Sequence, residues 1–226
     1  MTDISFLLSA AIVFVGTHIL LSGPLRPLAI GWLGERGFAI AYSLIALVTL
    51  GWMARAFRYA PAASMLWDGW HIASWLAGSV LTLLALVFIL GSVVRNPALP
   101  HPEAEAVAQA REATGIFAVT RHPMMWGIAL WAAAHIVVAP NPRTLVLAGA
   151  LGFLALVGSA FQDGRKARTM GKDWTAWRSR TTFWPRLSRL GTVRWPFWAG
   201  AAVLWLGITW MHGPIGGIPA GVWRWL

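Results

Sequence analysis

Apolar residues in this chain fall into long, almost unbroken runs, unlike the one-sided stripe of a helix that faces water. The runs cover residues 4–21, 38–54, 70–94, 124–139, 144–161 and 196–211. Each approaches the roughly 20 residues that a helix needs to cross a bilayer. The pattern predicts an all-α fold, a polytopic membrane helix bundle of about six transmembrane helices, as one domain over residues 1–226. The fourth run is short, and the apolar segment 115–123 before it seats its first turns in the interface, with Pro123 near the helix start. Residues 101–112 form a short polar stretch, with acids near its beginning and Gly115 beyond it, and read as a surface helix. The first run has Asp3 before it and Ser22-Gly23-Pro24 after it, with no small-x-small cleavage pattern, so it reads as a retained helix.

Composition agrees with this reading and narrows it. Apolar residues make up 58% of the chain and charged residues 12%, and the mean hydropathy is +0.62. Eight acids and eighteen bases cannot coat a soluble globule of 226 residues, where about a quarter of positions are ordinarily charged. The chain has no cysteine. Disulfides, thiolate nucleophiles, iron–sulfur clusters and covalently attached haem are excluded with it, so any metal must be held by imidazole, thioether or carboxylate.

The net charge of +10 changes meaning once it is placed along the chain. Nine of the eighteen bases lie between Gln162 and Trp195, and the loops after the first, third and fifth runs together hold fourteen. The positive-inside rule puts those loops in the cytoplasm and both termini outside. The basic loop between helices 5 and 6 also carries Trp174, Trp177, Trp184 and Trp195, a composition suited to contact with membrane lipids. No recognition motif accompanies the charge, so nucleic acid is not an expected partner.

Six histidines are the candidate chemistry: His18, His71, His101, His122, His135 and His212. Ionisable groups within a span are costly and tend to be functional, and a neutral imidazole is the metal ligand a membrane tolerates best. His18 lies within the first run, about 21 Å along its axis. His135 follows three alanines, which leave space for close helix packing or for a flat cofactor. His122 belongs where the fourth helix meets the interface. It is thirteen residues from His135, about 20 Å of rise, so one helix cannot aim both at the same iron. His71 and His212 read as residues of the outer interface, and His101 lies in a polar loop.

The His-bearing first helix, Thr120-Arg121-His122-Pro123-Met124-Met125-Trp126-Gly127 and Leu130-Trp131-Ala132-Ala133-Ala134-His135 together resemble the NnrU family of integral membrane proteins. That family includes the plastid 15-cis-zeta-carotene isomerase, a haem b enzyme, and its bacterial members are linked by name to nitric oxide metabolism and denitrification. The resemblance implies a haem b protein of the bacterial inner membrane, with His18 and His135 as iron ligands and His122 as a further candidate. It implies a lipophilic polyene or nitric oxide as the molecule acted upon. Depth counting along the runs favours His18 with His122 instead.

A partial second resemblance, to membrane methyltransferases of the isoprenylcysteine carboxyl type, rests on Arg121-His122-Pro123-x-x-x-Gly127 with Gln162-Asp163 and the basic-aromatic stretch 165–186. It implies S-adenosylmethionine held by Arg121, His122 and Asp163. Met125 stands where that pattern has a tyrosine, and Gln162-Asp163 where it has two acids. A non-catalytic assembly or interaction protein is the remaining alternative.

Overall fold

The computed structural model describes residues 4–61, 63–99, 103–110 and 112–226. His101 lies outside the described residues. The described chain is helical and contains no strand. In order it runs α1 (Ile4–Ser22), α2 (Arg26–Tyr59), α3 (Ile72–Ser92), α4 (Ala104–Ala110), α5 (Ile116–Val119), α6 (Pro123–Val138), α7 (Pro142–Met170), α8 (Lys172–Arg180) and α9 (Trp195–Gly216). Short 3₁₀ turns at Leu187–Thr192 and Gly221–Arg224 flank α9.

Four of these helices, α1, α2, α3 and α7, are long and apolar enough to cross a membrane. Length and composition therefore establish four of the expected six. The fourth run forms α6, of only 16 residues, and tryptophans, glycines and a proline interrupt the apolar sequence of α9. Within the four long helices, 17–28% of the apolar window is buried against protein. Ile12, Leu47 and Val48 instead point outward, as lipid-facing side chains do.

Helix α2 departs from the expected second span. It begins at Arg26, well before the apolar run at 38, and breaks at Gly34 (φ 67°, ψ 170°). Glycine adopts that positive φ without the Cβ penalty other residues meet. The segment ahead of the break carries exposed Leu28, Trp32 and Leu33, and Arg26 pairs with Glu35 at 3.2 Å across it.

Side-chain contacts sort the loops into two ends. At one end Arg165 Nη1 donates to the Ser22 carbonyl at 3.1 Å, Gln162 Nε2 to the Ala98 carbonyl at 2.8 Å and Arg180 to the Ala108 carbonyl at 2.6 Å. At the other, Trp67 Nε1 donates to Val137 O at 3.0 Å, Trp75 Nε1 to Gly221 O at 2.8 Å and Arg224 Nη1 to Trp70 O at 2.7 Å. The loops that carry most of the basic residues thus share one end.

Helix α7 packs against α1 and α6, α6 against α3, and α3 against α9. Small residues set the α3–α6 approach: a Cβ added to Gly127 would lie 2.9 Å from the Ala85 carbonyl oxygen, and one added to Gly78 would lie 2.4 Å from Val138 Cγ1. In lipid, where apolar burial does not drive helices together, such backbone proximity is a main source of association. At the basic end, α4, α5 and α8 close over the bundle with a core that includes Val107, Phe117, Val119, Trp174 and Trp177.

Candidate functional site

The chemistry gathers at the start of α6. Thr120 leaves α5 extended, at φ −157°, and Pro123 occupies the first turn of α6. Proline suits that position because the N–H it lacks would have no helical partner, and it keeps the residue before it out of the helical region. His122 accordingly sits at φ −118°, ψ 55°. The Thr120 hydroxyl and the Trp126 indole both donate to the Phe183 carbonyl, at 2.7 and 2.9 Å, and tie this turn to the segment after α8.

Arg121 and His122 both meet Asp163 of α7. Arg121 Nε donates to Asp163 Oδ1 and Oδ2 at 3.0 and 2.9 Å, and Arg121 Nη2 also donates to Oδ2. His122 Nε2 lies 2.8 Å from Asp163 Oδ1. The side chain of His122 is fully buried, and those of Arg121 and Asp163 are 9% and 11% exposed. Phe183 lies against the cluster, its ring centroid 5.5 Å from the Arg121 guanidinium carbon and 5.5 Å from the imidazole centroid. An ionised carboxylate only accepts, so in the neutral ring Nε2 carries the proton and Nδ1 is left as an acceptor. The guanidinium balances the carboxylate charge, as a pair withdrawn from water requires.

Beside His122 is a small hollow of about 10 Å³, lined also by Asn96, Ala98, Leu99, Met124, Met125 and Gln162. Asn96 reaches it through the turn that follows α3, where its Oδ1 accepts from Ala98 N at 2.9 Å. Sequence reasoning singled out Arg121, His122, Met125, Gln162 and Asp163 but missed Asn96; its place just after an apolar run and before Pro97 was the available signal.

The other histidines sit elsewhere. His18 is half-buried on α1, one turn before the end that Arg165 holds, and packs on Phe14 and Tyr42 with ring centroids at 4.3 and 5.5 Å. His135 is half-buried on α6, one turn from the opposite end, with the Trp131 ring centroid at 4.1 Å. Nδ1 of His18 lies 2.7 Å from the Phe14 carbonyl oxygen, and Nδ1 of His135 lies 2.8 Å from that of Trp131. A carbonyl only accepts, so both rings carry their proton on Nδ1 and offer Nε2 as a lone pair. His212 makes the same bond to Ile208 at 2.8 Å, and His71 Nδ1 caps α3 by accepting from Ala73 N at 3.2 Å.

His18 and His135 belong to different helices that both pack against α7, His18 near the end that Arg165 holds and His135 near the opposite end. His18 shares its end with His122, whose Nε2 is occupied by Asp163. Axial ligands of one iron must bring their nitrogens to about 4 Å from each other. Each imidazole has the tautomer of a metal ligand. Among the described residues, no group of three or more His, Cys, Asp or Glu is arranged to hold a metal ion.

The NnrU protein family model matches residues 6–220. The chain belongs to the NnrU family. A similar protein of known name is the chloroplastic 15-cis-zeta-carotene isomerase of Arabidopsis thaliana, 29% identical over 187 residues, which cover 79% of this chain and 48% of the isomerase. This NnrU chain therefore spans about half the length of that relative. No solved structure matches it. The stretch matched by the family model includes His18, His122, His135 and Asp163, and so both the open imidazoles and the ionic cluster.

Proposed function

We propose that this NnrU protein is a membrane-embedded isomerase of a lipophilic polyene. The named activity of its plant relative motivates the reading. The observation that carries it in this chain is the shared setting of His18 and His135: imidazoles on apolar helices, each with Nδ1 fixed to its own helix and Nε2 open. That is the tautomer in which imidazole binds a metal, with the second ring nitrogen held by a carbonyl. Haem b remains the proposed cofactor, and His18 and His135 its proposed ligands. No step of the reaction is assigned to haem.

The decisive assay supplies 15-cis-zeta-carotene to membranes containing the protein and follows the isomers by chromatography. The expected result is loss of the 15-cis isomer that depends on the protein. An unchanged isomer ratio, with the protein present and folded, overturns the reading. A reduced-minus-oxidised absorption spectrum of the purified protein tests haem separately. A Soret band that is lost in His18→Ala or His135→Ala assigns the ligand, and no band in the wild type removes haem from the proposal. In the nitric oxide alternative, exposure to nitric oxide shifts that band while the carotene isomers stay unchanged.

Methyl transfer is less well supported. Arg121, His122 and Asp163 do come together, but Asp163 is engaged by the other two, and Met125 brings no hydroxyl to the site. The space beside His122, about 10 Å³, is also far below the roughly 300–1,000 Å³ usual for a whole cofactor-sized ligand.

A further inference from the structure

Basic side chains gather where the turn between α1 and α2 meets α7. Arg165 Nη1 donates to the Ser22 carbonyl at 3.1 Å, and Arg26, at the start of α2, has its guanidinium carbon 5.3 Å from the Phe38 ring centroid. The charges of Arg26 and Arg168 reach Arg165, and those of Arg165 and Arg26 reach Lys166. Two carboxylates face this group: Glu35 pairs with Arg26 at 3.2 Å, and Glu105 lies within electrostatic reach of Lys166. Asp163, on the same helix as Arg165, is taken by Arg121 and His122. The remaining group that the charge of Arg165 reaches is the neutral phenol of Tyr42. Among the described residues, no acid forms an ion pair with Arg165, Lys166 or Arg168, although Arg165 and Lys166 are half-buried.

A cation partly withdrawn from water, with other cations around it and no counter-charge of its own, is costly, and an anion from outside relieves both terms. Phosphate answers guanidinium well, because its oxygens match the planar fork of N–H groups, and a lysine adds a point charge. The surroundings indicate where that phosphate comes from. The cluster sits where α1 ends and α2 begins, at the basic end of the bundle, the level of the lipid headgroups. Leu20, Leu25 and Leu28 are exposed around the same turn, as is Trp32 ahead of the break at Gly34. Apolar side chains beside basic ones suit a molecule that carries acyl chains below its phosphate, whereas free phosphate would make no use of them.

We propose that Arg165, Lys166 and Arg168 of α7, together with Arg26 of α2, bind the phosphate of an anionic phospholipid whose acyl chains lie against the exposed leucines of the α1–α2 turn. This is one site with named ligands, at a place other than the tryptophan-rich loop between α7 and α9. It uses neither His18 nor His135 and needs no carotene, so it stands or falls without the isomerase reading.

The test is thermal melting of the full chain, purified in a neutral detergent, with added dioleoylphosphatidylglycerol. Dioleoylphosphatidylcholine, which has the same acyl chains but no net charge, is the control, and inorganic phosphate at equal ionic strength is a second. The anionic lipid raises Tm in a saturable way, and the two controls do not. Arg165→Gln and Lys166→Gln each weaken the apparent affinity about fivefold, the scale of one base at an anionic surface. Lys166→Gln keeps the proposal testable if Arg165→Gln, which loses the bond to Ser22, does not fold. Arg58→Gln removes the same charge from an exposed site at the far end of α2 and leaves the affinity unchanged. Equal shifts with the anionic and the neutral lipid, no shift with either, or the same shift with inorganic phosphate would each overturn the proposal. So would full affinity in Lys166→Gln, or a loss in Arg58→Gln as large as that in Lys166→Gln.

Discussion

Asp163 shows how much one side chain can decide. Its carboxylate takes hydrogen bonds from both Arg121 and His122, in a place where all three side chains are almost fully withdrawn from water. Removing one member of a buried ion pair leaves the other charge uncompensated, at a cost of about 3–5 kcal/mol. Asp163→Asn is expected to lower the melting temperature of the purified protein by an amount consistent with that cost. The double change Arg121→Met with Asp163→Leu should recover most of the loss, because apolar replacement of a whole buried pair is often neutral or stabilising. A melting temperature unchanged in Asp163→Asn would mean that the pair contributes little. Sequence reading already named Arg121, His122 and Asp163, because R-H-P and Q-D are recognisable strings. It did not reveal that His122 directs one nitrogen to Asp163 and buries the other, since rotamer and neighbours are not properties of a string.

At the scale of elements, the apolar runs were legible and their boundaries less so. All six expected runs lie within or nearly coincide with single helices, because a bilayer span leaves a compositional signature that needs no tertiary context. The second run belongs to a helix that starts twelve residues earlier, at Arg26 and not at 38. Its extra turns are polar enough to read as a loop, and the break that separates them is one glycine φ angle. Close helix packing was likewise invisible, since the chain has 23 glycines and only a few sit against a neighbouring helix. Gly127→Ala puts a Cβ 2.7 Å from Ile89 Cγ1 and 2.9 Å from the Ala85 carbonyl oxygen, so α3 and α6 must separate. The expected loss is about 1–3 kcal/mol, the usual cost of overpacking. Gly16→Ala on α1 meets nothing within 4 Å and is expected to be neutral or to stabilise by up to about 1 kcal/mol through helix propensity. Melting curves of the two variants side by side provide the check. Equal losses would show that backbone proximity is not what joins α3 to α6.

For the whole molecule, the distribution of charge and the distribution of contacts agree. The ends of α1 and α3 and the region after Gln162 meet at one end, while Trp67, Val137 and Gly221 meet at the other. Orientation in the membrane can be read directly because the chain has no cysteine of its own. Leu66→Cys and Leu226→Cys should react with a membrane-impermeant maleimide in intact cells, and Leu187→Cys only after the membrane is opened; all three positions are well exposed. The opposite labelling would invert the positive-inside assignment, and equal labelling of all three would contradict the two-ended arrangement. The sequence by itself determined the membrane class, the helical content, the side on which bases collect and the family, because hydropathy, charge bias and short motifs are local quantities. Only the tertiary structure decided that His122, and neither His18 nor His135, meets a carboxylate 41 residues away. That outcome depends on which helices adjoin and in what register, which is fixed by packing between segments distant in the chain.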